Sequence, residues 1–410
     1  MDGMTSLPSQ MTPFMPTGNG VLEDLAREVL VSSAALSGML HPKTQIGVVE
    51  LIRLINSYYS NLIEGRSTHP AEIEKAMRAD YSKDPAKRNL QEESLAHIYC
   101  QRAIEERLRK EPDLDPSDPE FLAWVHGKFY ERLPEELCWV ENPDTKERIE
   151  VIGGDFRKSD VAVGRHLPPE HDALPLFLAR FFQAYKRGNH HGVKPIIAAA
   201  AAHHRLAWIH PFFDGNGRVA RLYVDACLRT LPVPGYGLWN VSRGLARRRE
   251  DYMHVLDEAD SRRRGDLDGR GNLSNKALAD FCEFFLKVSL DQISYMSSML
   301  KLDDLLDRIT GYVRMRKEKL IAPPEGHTAA MKLEAARILQ EVLLRGEMPR
   351  GEAAAASGSP RAGKDILAQL IAEGILVSSM PKAPVRLAFP THLAGYLFPE
   401  LYPMGAKSGG

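Results

Sequence analysis

One stretch of this 410-residue chain combines a histidine, an acidic residue, a glycine-rich turn and two arginines. It runs from His210 to Arg221 and reads His-Pro-Phe-Phe-Asp-Gly-Asn-Gly-Arg-Val-Ala-Arg. A helical pattern follows the Gly-Asn-Gly turn, so the free N–H groups at the start of that helix would be open to an anion. Arg218 and Arg221 stand three residues apart, so their forked donors would point the same way and suit neighbouring phosphate groups.

Two further residues of the stretch add a metal ligand and a base. Asp214 is an oxygen ligand of the kind that Mg²⁺ bound to phosphates prefers. His210 titrates near neutrality and can take a proton from an incoming hydroxyl. A helix N-cap with two surface arginines and a buried histidine is the alternative, and it would suffice for a lone Gly-Asn-Gly. The complete set instead predicts a phosphate cradle with a metal and a base.

These residues match, at every position, the signature His-x-Phe-x-Asp/Glu-Gly-Asn-Gly-Arg-x-x-Arg, so the chain resembles the Fic family of nucleotidyl transferases. The resemblance implies transfer of AMP from ATP to a Tyr, Thr or Ser hydroxyl of a target protein, with pyrophosphate leaving. The kinase-like Doc branch carries Lys where this chain has Gly217, so the resemblance disfavours that branch.

The same resemblance implies roles for single residues. His210 would be the general base and Asp214 the Mg²⁺ ligand. Arg221 would bind the γ-phosphate, and the turn with Arg218 would bind the α- and β-phosphates. The implied nucleotide-binding residues are Gly215, Asn216, Gly217, Arg218, Arg221 and, beside the adenine, Tyr252.

A second motif lies upstream, at the end of a strongly periodic helix predicted over 46–63. Gly65 suits a C-terminal cap, whereas Glu64 stands at the negative end of the helix dipole and needs a partner or a purpose. An exposed glutamate beside a capping glycine is the alternative. Ser60, Glu64 and Gly65 fit the Ser/Thr-x-x-x-Glu-Gly/Asn pattern of the Fic inhibitory helix. The resemblance implies that Glu64 pairs with Arg221 and so competes with the γ-phosphate.

Residues 134–166 differ from their helical surroundings. Two short β-prone runs flank Asn142-Pro143-Asp144 and predict a hairpin. By resemblance, residues 159–166 form the Fic flap, which would align an extended segment of the target by strand pairing. A purely structural hairpin is the alternative. The predicted flap residues are Val161, Ala162, Val163 and Gly164.

The bulk properties exclude several classes of protein. A net charge of −1 makes no global case for binding nucleic acid or membrane. The four cysteines include no CxxC pair, which argues against a zinc site or disulfide framework and fits a reducing compartment. The longest small-apolar run, 196–202, is too short to span a bilayer, and no Lys or Arg precedes Arg27 as in a signal peptide. We therefore expect a cytoplasmic protein without a membrane partner.

The expected fold class is mainly α, with a Fic-type helical core, a short β-hairpin flap and a C-terminal winged-helix-like domain. A single long helix is predicted through 290–319. His203 and His204, on the helix before the motif, are predicted to be structural. The predicted divisions are a flexible tail (1–20), an N-terminal helical region with the inhibitory helix (21–115), a catalytic core (116–318), a linker (319–329), the winged-helix-like domain (330–400) and a tail (401–410).

The order of elements in the C-terminal unit, three helices and then two strands, resembles a winged helix. Between residues 331 and 386 its net charge is +2, a thin electrostatic footprint for DNA. We therefore favour protein docking or dimer contact over DNA binding for this unit.

Taken together, the sequence predicts an autoinhibited protein adenylyltransferase with ATP as substrate and Mg²⁺ as cofactor. Its partners would be an unidentified target protein, with a homodimer and DNA as further candidates. One alternative is hydrolysis of AMP from a modified protein, with Glu64 orienting a water. Another, from a different class, is a DNA-binding regulator whose catalytic core is secondary.

Overall fold

The computed structural model describes residues 6–18, 20–141 and 146–403. This part of the chain is mainly α-helical with a short β-hairpin, so these two parts of the predicted fold class are confirmed. Up to the motif region the helices are α1 (Gly20–Ser37), α2 (Pro42–Ile63), α3 (Pro70–Met77), α4 (Pro85–Lys110), α5 (Pro119–Tyr130), α6 (Leu174–Tyr185), α7 (Lys194–Ile209) and α8 (Asn216–Thr230). The later helices are α9 (Ser242–Arg247), α10 (Arg249–Glu258), α11 (Asn275–Met299), α12 (Leu302–Lys317), α13 (Ala335–Arg345), α14 (Arg350–Ala355), α15 (Pro360–Ala372) and α16 (Thr391–Leu397).

Two short antiparallel hairpins interrupt the helices. In the first, β1 (Trp139–Glu141) pairs with β2 (Arg148–Glu150), and in the second, β3 (Leu376–Val377) pairs with β4 (Arg386–Leu387). The first hairpin lies where the β-prone runs predicted it, although the intervening 142–145 are outside the described residues.

Helix starts follow the proline and capping signals of the sequence. Pro85 and Pro119 stand at the first positions of α4 and α5, where a missing N–H costs nothing. The preceding Asp84 and Asp118 cap these helices, accepting hydrogen bonds from backbone N–H groups two residues on at 2.9 and 2.8 Å. None of the helices in the described part of the chain is long and apolar enough to cross a bilayer.

The centre of the core is α7, which packs against α1, α6, α8 and α11. Almost every residue of 196–209 is buried, and the alanine run 198–202 lets the neighbouring helices approach closely. His203 and His204 are fully buried within it. Because α7 ends at Ile209, the motif that follows is anchored directly to the most buried element of the protein.

The N-terminal segment corrects the expectation of a loose tail over residues 1–20. Met11 is fully buried, and the backbone carbonyl of Pro13 accepts hydrogen bonds from the Nε and NH2 of buried Arg205 at 3.1 and 2.9 Å. The Tyr185 hydroxyl donates to the Phe14 carbonyl at 2.7 Å. Buried polar side chains thus order residues 6–18 despite their lack of periodicity, while residues 1–5 and 19 lie outside the described residues.

The single helix predicted through 290–319 is also corrected, because the chain breaks it into α11 and α12. Leu300 is fully buried at the break, and Lys301 takes an extended conformation with ψ 123°. Asp303 and Asp304 then occupy the first turn of α12, where the helix dipole favours negative charge.

The C-terminal unit has the predicted order of elements, α13, α14, α15, β3 and β4, and its assignment as a winged helix stays a prediction. It packs on α2: the Thr44 hydroxyl donates to the Leu343 carbonyl at 2.9 Å, and a Cβ at Gly47 would lie 2.6 Å from the Leu387 carbonyl. Leu401 and Tyr402, expected in a tail, are buried, and 404–410 lie outside the described residues.

A buried ion pair fixes α12 to the C-terminal unit and supplies a stability test. The Arg316 NH1 and NH2 groups lie 2.9 and 3.0 Å from the two carboxylate oxygens of Glu373, with both side chains almost fully buried. Glu373→Gln would leave the guanidinium uncompensated, so we expect unfolding free energy to fall by about 3 kcal/mol in urea denaturation. Asp24→Asn, which breaks an exposed pair with Arg27, is the control with little effect. A loss below about 1 kcal/mol for Glu373→Gln would contradict this account.

Candidate active site

The motif forms a tight connection between α7 and α8. His210 caps α7 in the left-handed region (φ 50°, ψ 62°), and Gly215 takes the same region (φ 79°, ψ 0°) at the start of α8. Glycine suits position 215 because a residue with a Cβ atom is destabilised at a positive φ. The chain therefore reverses sharply and brings the start of α8 back beside His210.

The Asn216 side chain braces this connection. Its Oδ1 accepts a hydrogen bond from the Phe212 N–H at 3.0 Å, and its Nδ2 donates to the Phe212 carbonyl at 2.8 Å. Both ends of the Asn216 amide therefore hold the loop in shape, and the predicted contribution of Asn216 to phosphate binding stays a prediction.

The two motifs predicted from the sequence meet at Arg221. Its NH2 lies 2.6 Å from Glu64 Oε1 and 2.9 Å from the Ser60 carbonyl oxygen, and its Nε donates to the Ser60 hydroxyl at 2.9 Å. The Arg221 side chain is only 2% exposed, whereas that of Glu64 is 32% exposed. A buried guanidinium needs such a counter-charge.

The end of α2 presents Glu64 through a Schellman arrangement. Gly65 adopts φ 75°, its N–H donates to the Leu62 carbonyl at 3.0 Å, and the Arg66 N–H donates to the Asn61 carbonyl at 2.9 Å. This is the capping geometry that a glycine after the last helical turn supports.

Glu64 also lies at the positive end of α8. A Cβ built on Gly217 would be only 2.3 Å from Glu64 Oε1, so the carboxylate occupies the space against the first turn of that helix. Burial opposes ionisation of Glu64, but Arg221 holds its pKa below the usual range. A negatively charged oxygen therefore fills the place where the sequence predicts phosphate.

Asp214 is held from two sides. Its Oδ2 accepts a hydrogen bond from the Tyr130 hydroxyl at 2.6 Å and lies 2.8 Å from Arg218 NH2. Although burial opposes ionisation, Arg218 and Tyr130 lower the pKa of Asp214, so this residue is a carboxylate at neutral pH.

The residues fit the magnesium that the sequence implies. The Asp214 carboxylate is ionised and its side chain is 42% exposed, so it can supply an oxygen ligand. In the described part of the chain no group of three or more His, Cys, Asp or Glu side chains could hold a metal ion. This donor set suits Mg²⁺, which commonly uses one or two carboxylates and takes its other ligands from phosphates and water.

His210 is neutral at physiological pH. Burial lowers the pKa of its imidazole to about 4. A neutral imidazole retains a lone pair and can accept a proton, as a base must.

Comparisons with known proteins place part of the chain in a known family of domains. The model of the Fic/DOC family matches residues 116–228. This protein contains a Fic/DOC domain. The match includes α5 to α7 and nearly all of α8, and so takes in the whole motif.

Curated relatives match part of the chain. The chain is 36% identical over 112 residues to "Protein adenylyltransferase Fic" of Culex quinquefasciatus, covering 27% of this chain and 22% of the relative. It is 40% identical over 84 residues to the protein of that name from Drosophila melanogaster, covering 20% and 17%. The chain thus spans about a fifth of the length of these relatives.

Solved structures share the fold over more of the chain. A Fic family protein from Desulfovibrio desulfuricans G20 superposes with a TM-score of 0.52 and 18% identity, covering 91% of this chain and 98% of that one. Fic-1 (residues 134–508) from C. elegans superposes with a TM-score of 0.54 and 15% identity, covering 69% and 74%. At such low identity these likenesses concern the fold alone.

The predicted flap of the Fic domain is a small exposed turn. Val163 and His166 form an isolated antiparallel bridge around Gly164, which has φ 58°. Ala162, Val163 and Gly164 are exposed, and Val161 is partly exposed. These positions are open to a partner strand, and their role in docking stays a prediction.

Arg157, to which the sequence interpretation assigned no role, joins this turn to the motif. Its Nε donates to the His210 carbonyl at 2.9 Å, its NH1 donates to the Ser159 carbonyl at 3.0 Å, and its NH2 contacts the Pro169 carbonyl. The side chain is buried, so it ties the base of the turn to the predicted catalytic residue. Arg157 lies outside both sequence motifs, so no pattern in the sequence indicated this role.

Tyr252, on α10, is buried and lies near Arg221. Its hydroxyl lies 2.7 Å from Nε2 of His203, whose Nδ1 faces the Ala220 carbonyl at 3.2 Å. A ring nitrogen facing a carbonyl must donate, so His203 Nε2 accepts from Tyr252. This pair braces α7 against α8 and α10, and the predicted contact of Tyr252 with adenine stays a prediction.

Two further residues of α5 support Asp214. Beside Tyr130, the ring of His126 stacks on Phe212 with centroids 4.0 Å apart, and its Nε2 lies 3.2 Å from the Asp214 carbonyl oxygen. The Gly154 N–H donates to its Nδ1 at 2.9 Å, so Nε2 carries the proton. Nothing in the sequence around Tyr130 separates it from ordinary core residues.

The titration of His210 can be measured directly. We expect its imidazole carbon and proton resonances to titrate near pH 4 rather than near the usual 6.5, because burial disfavours the charged ring. Comparison with His210→Asn in the same NMR titration assigns the signal. A midpoint between 6 and 7 would contradict the lowered pKa of this imidazole.

Proposed function

We propose that this protein is a protein adenylyltransferase that transfers AMP from ATP to a hydroxyl group of a target protein. The observation that carries the proposal is the arrangement at the start of α8. There a neutral histidine, an ionised aspartate and two arginines surround a helix N-terminus that already holds a carboxylate. The curated relatives named protein adenylyltransferase support the same reaction class.

In the proposed reaction, His210 removes the proton from the target's Tyr, Thr or Ser hydroxyl. The resulting oxygen forms a bond to the α-phosphorus of ATP, the bond from that phosphorus to the bridging oxygen breaks, and pyrophosphate leaves. The backbone of Gly215, Asn216 and Gly217, together with Arg218, would hold the α- and β-phosphates, and Arg221 the γ-phosphate. Positioning and charge neutralisation are the main contributions that proteins make to such transfers.

Asp214 would hold magnesium, with Tyr130 and Arg218 keeping the carboxylate ionised and oriented. When bound, Mg²⁺ supplies neutralisation of the negative charge on the phosphate oxygens. Withdrawal of Arg218 NH2 from Asp214 would free a donor of this arginine for a phosphate.

We further propose that Glu64 inhibits the enzyme by standing in for a phosphate. It holds Arg221 at 2.6 Å and fills the space at Gly217, so a γ-phosphate in the proposed position would have to displace it. Its partial exposure, and its position at the last turn of α2, would let the carboxylate leave without unpacking the core.

Removal of AMP from a modified protein is a second candidate reaction. The observation that favours it is the ionised, partly exposed Glu64 beside the motif, because such a carboxylate can orient a water. Incubation with an AMP-modified target would show release of AMP if this reaction occurs.

His210→Ala tests the proposed chemistry. We expect transfer of label from α-labelled ATP to protein to fall by roughly a hundredfold or more, since the base that takes the hydroxyl proton is lost. The label on the protein is measured by gel autoradiography, and circular dichroism verifies folding. Undiminished transfer by a folded His210→Ala protein would refute the mechanism.

Glu64→Gly tests the inhibition. We expect auto-modification to rise by roughly tenfold or more, because Arg221 loses a charge-assisted competitor. Glu111→Gly is a matched control, since Glu111 also caps the end of a helix, α4, but is exposed and pairs with Arg107. If both variants modify themselves at the wild-type rate, the inhibitory role of Glu64 is wrong.

A further inference from the structure

A second glutamate contacts the motif from a different helix. Glu93 lies within α4, and its Oε1 pairs closely with Arg218 NH1. Its Oε2 lies 2.9 Å from the Nε of Arg66. The Glu93 side chain is 2% exposed and that of Arg218 is 5% exposed, so this pair is almost completely removed from solvent.

Arg218 is consequently held on three sides. Glu93 engages NH1, Asp214 engages NH2 at 2.8 Å, and the Phe129 ring lies under the guanidinium with its centroid 4.8 Å from the central carbon. The buried Nε has no hydrogen-bond partner among the described residues. These contacts fix the plane of the Arg218 guanidinium group and leave some of its N–H donors unused.

Glu93 differs from Glu64 in whether it can leave. Glu64 stands at the last turn of α2 and is about one third exposed. Glu93 lies in the interior of a 26-residue helix, between buried Gln91 and Ser94, and could withdraw from Arg218 only by unpacking α4. Its charge is therefore a permanent partner of Arg218 and not a competitor that yields to a nucleotide.

We propose that Glu93 is a positioning residue that holds Arg218 in place for the diphosphate part of the nucleotide, independently of inhibition by Glu64. This rests on the proposed function, in which Arg218 binds the α- and β-phosphates. Without the Glu93 charge, the buried guanidinium would satisfy itself with Asp214 alone. Asp214, the proposed metal ligand, and Arg218, the proposed phosphate ligand, would then neutralise each other.

The test uses Glu93→Gln in the full-length Glu64→Gly protein. We expect calorimetry to give an affinity for ADP that is roughly tenfold to a hundredfold lower. A loss of this size is the usual effect of one misplaced charge-assisted hydrogen bond. The affinity for AMP, which lacks the β-phosphate, should change several-fold less. In the transfer assay the KM for ATP should rise by a factor similar to that for ADP.

Glu373→Gln in the same background is the matched control. It breaks a buried arginine–glutamate pair outside the motif, so it should lower the thermal unfolding midpoint while leaving ADP affinity unchanged. Should Glu93→Gln fail to fold, Glu93→Asp retains the charge with a shorter reach. We expect the same selective loss of ADP affinity from that variant.

Two outcomes would overturn the proposal. One is unchanged ADP affinity in folded Glu93 variants. The other is increased auto-modification when Glu93→Gln is placed in the otherwise wild-type chain, which would make Glu93 a second inhibitor. If no variant transfers label at all, the adenylyl-transfer proposal fails, yet the comparison of ADP with AMP still decides the role of Glu93.

Discussion

The ion pair between Glu64 and Arg221 is the contact on which the organisation of the site depends. It joins the C-terminal end of α2, where the helix dipole is negative, to the first turns of α8, where the dipole is positive. A glutamate at a helix C-terminus is unfavourable alone, and a buried arginine is costly alone. Together, with Ser60 accepting two further bonds from Arg221, they satisfy each other.

This contact gives the buried Arg221 of the motif a counter-charge from within the protein itself. A cluster of buried arginines without anions would repel itself and carry a large desolvation penalty. The Glu64 carboxylate at Gly217 supplies the missing negative charge. Replacement of that carboxylate by a phosphate would exchange one anion for another and leave the charge balance of the pocket nearly unchanged.

Two kinds of counter-charge surround the motif, one partly exposed and one buried. Glu64 lies at a helix end and is partly exposed, whereas Glu93 lies inside α4 and is buried. Arg221 depends on the first and Arg218 on the second. Arg157 adds a further fixed element, because its buried guanidinium ties the His210 carbonyl to the exposed turn at 163–166. Buried groups such as Glu93 and Arg157 fix the geometry of the site. A partly exposed group such as Glu64 can be displaced by a ligand.

The features that could be predicted from the sequence are those that depend on residues close together in the chain. The turn at Gly215, the helix after it, the capping role of Gly65 and the first hairpin follow from local spacing and backbone preference. The family resemblance added the pairing of Glu64 with Arg221, which the residues alone left open. These predictions succeed because φ/ψ preference and periodicity act over a few residues.

Only the tertiary structure decided which distant groups meet. The pairing of Glu93 with Arg218 links residues 125 positions apart, and the hydrogen bond from Tyr130 to Asp214 links residues 84 apart. The hydrogen bonds from Arg205 to the Pro13 carbonyl and the break between α11 and α12 are of the same kind. In each case packing and the need to satisfy a buried charge or polar group outweigh local preference, and a linear pattern carries no record of which side chain will satisfy it.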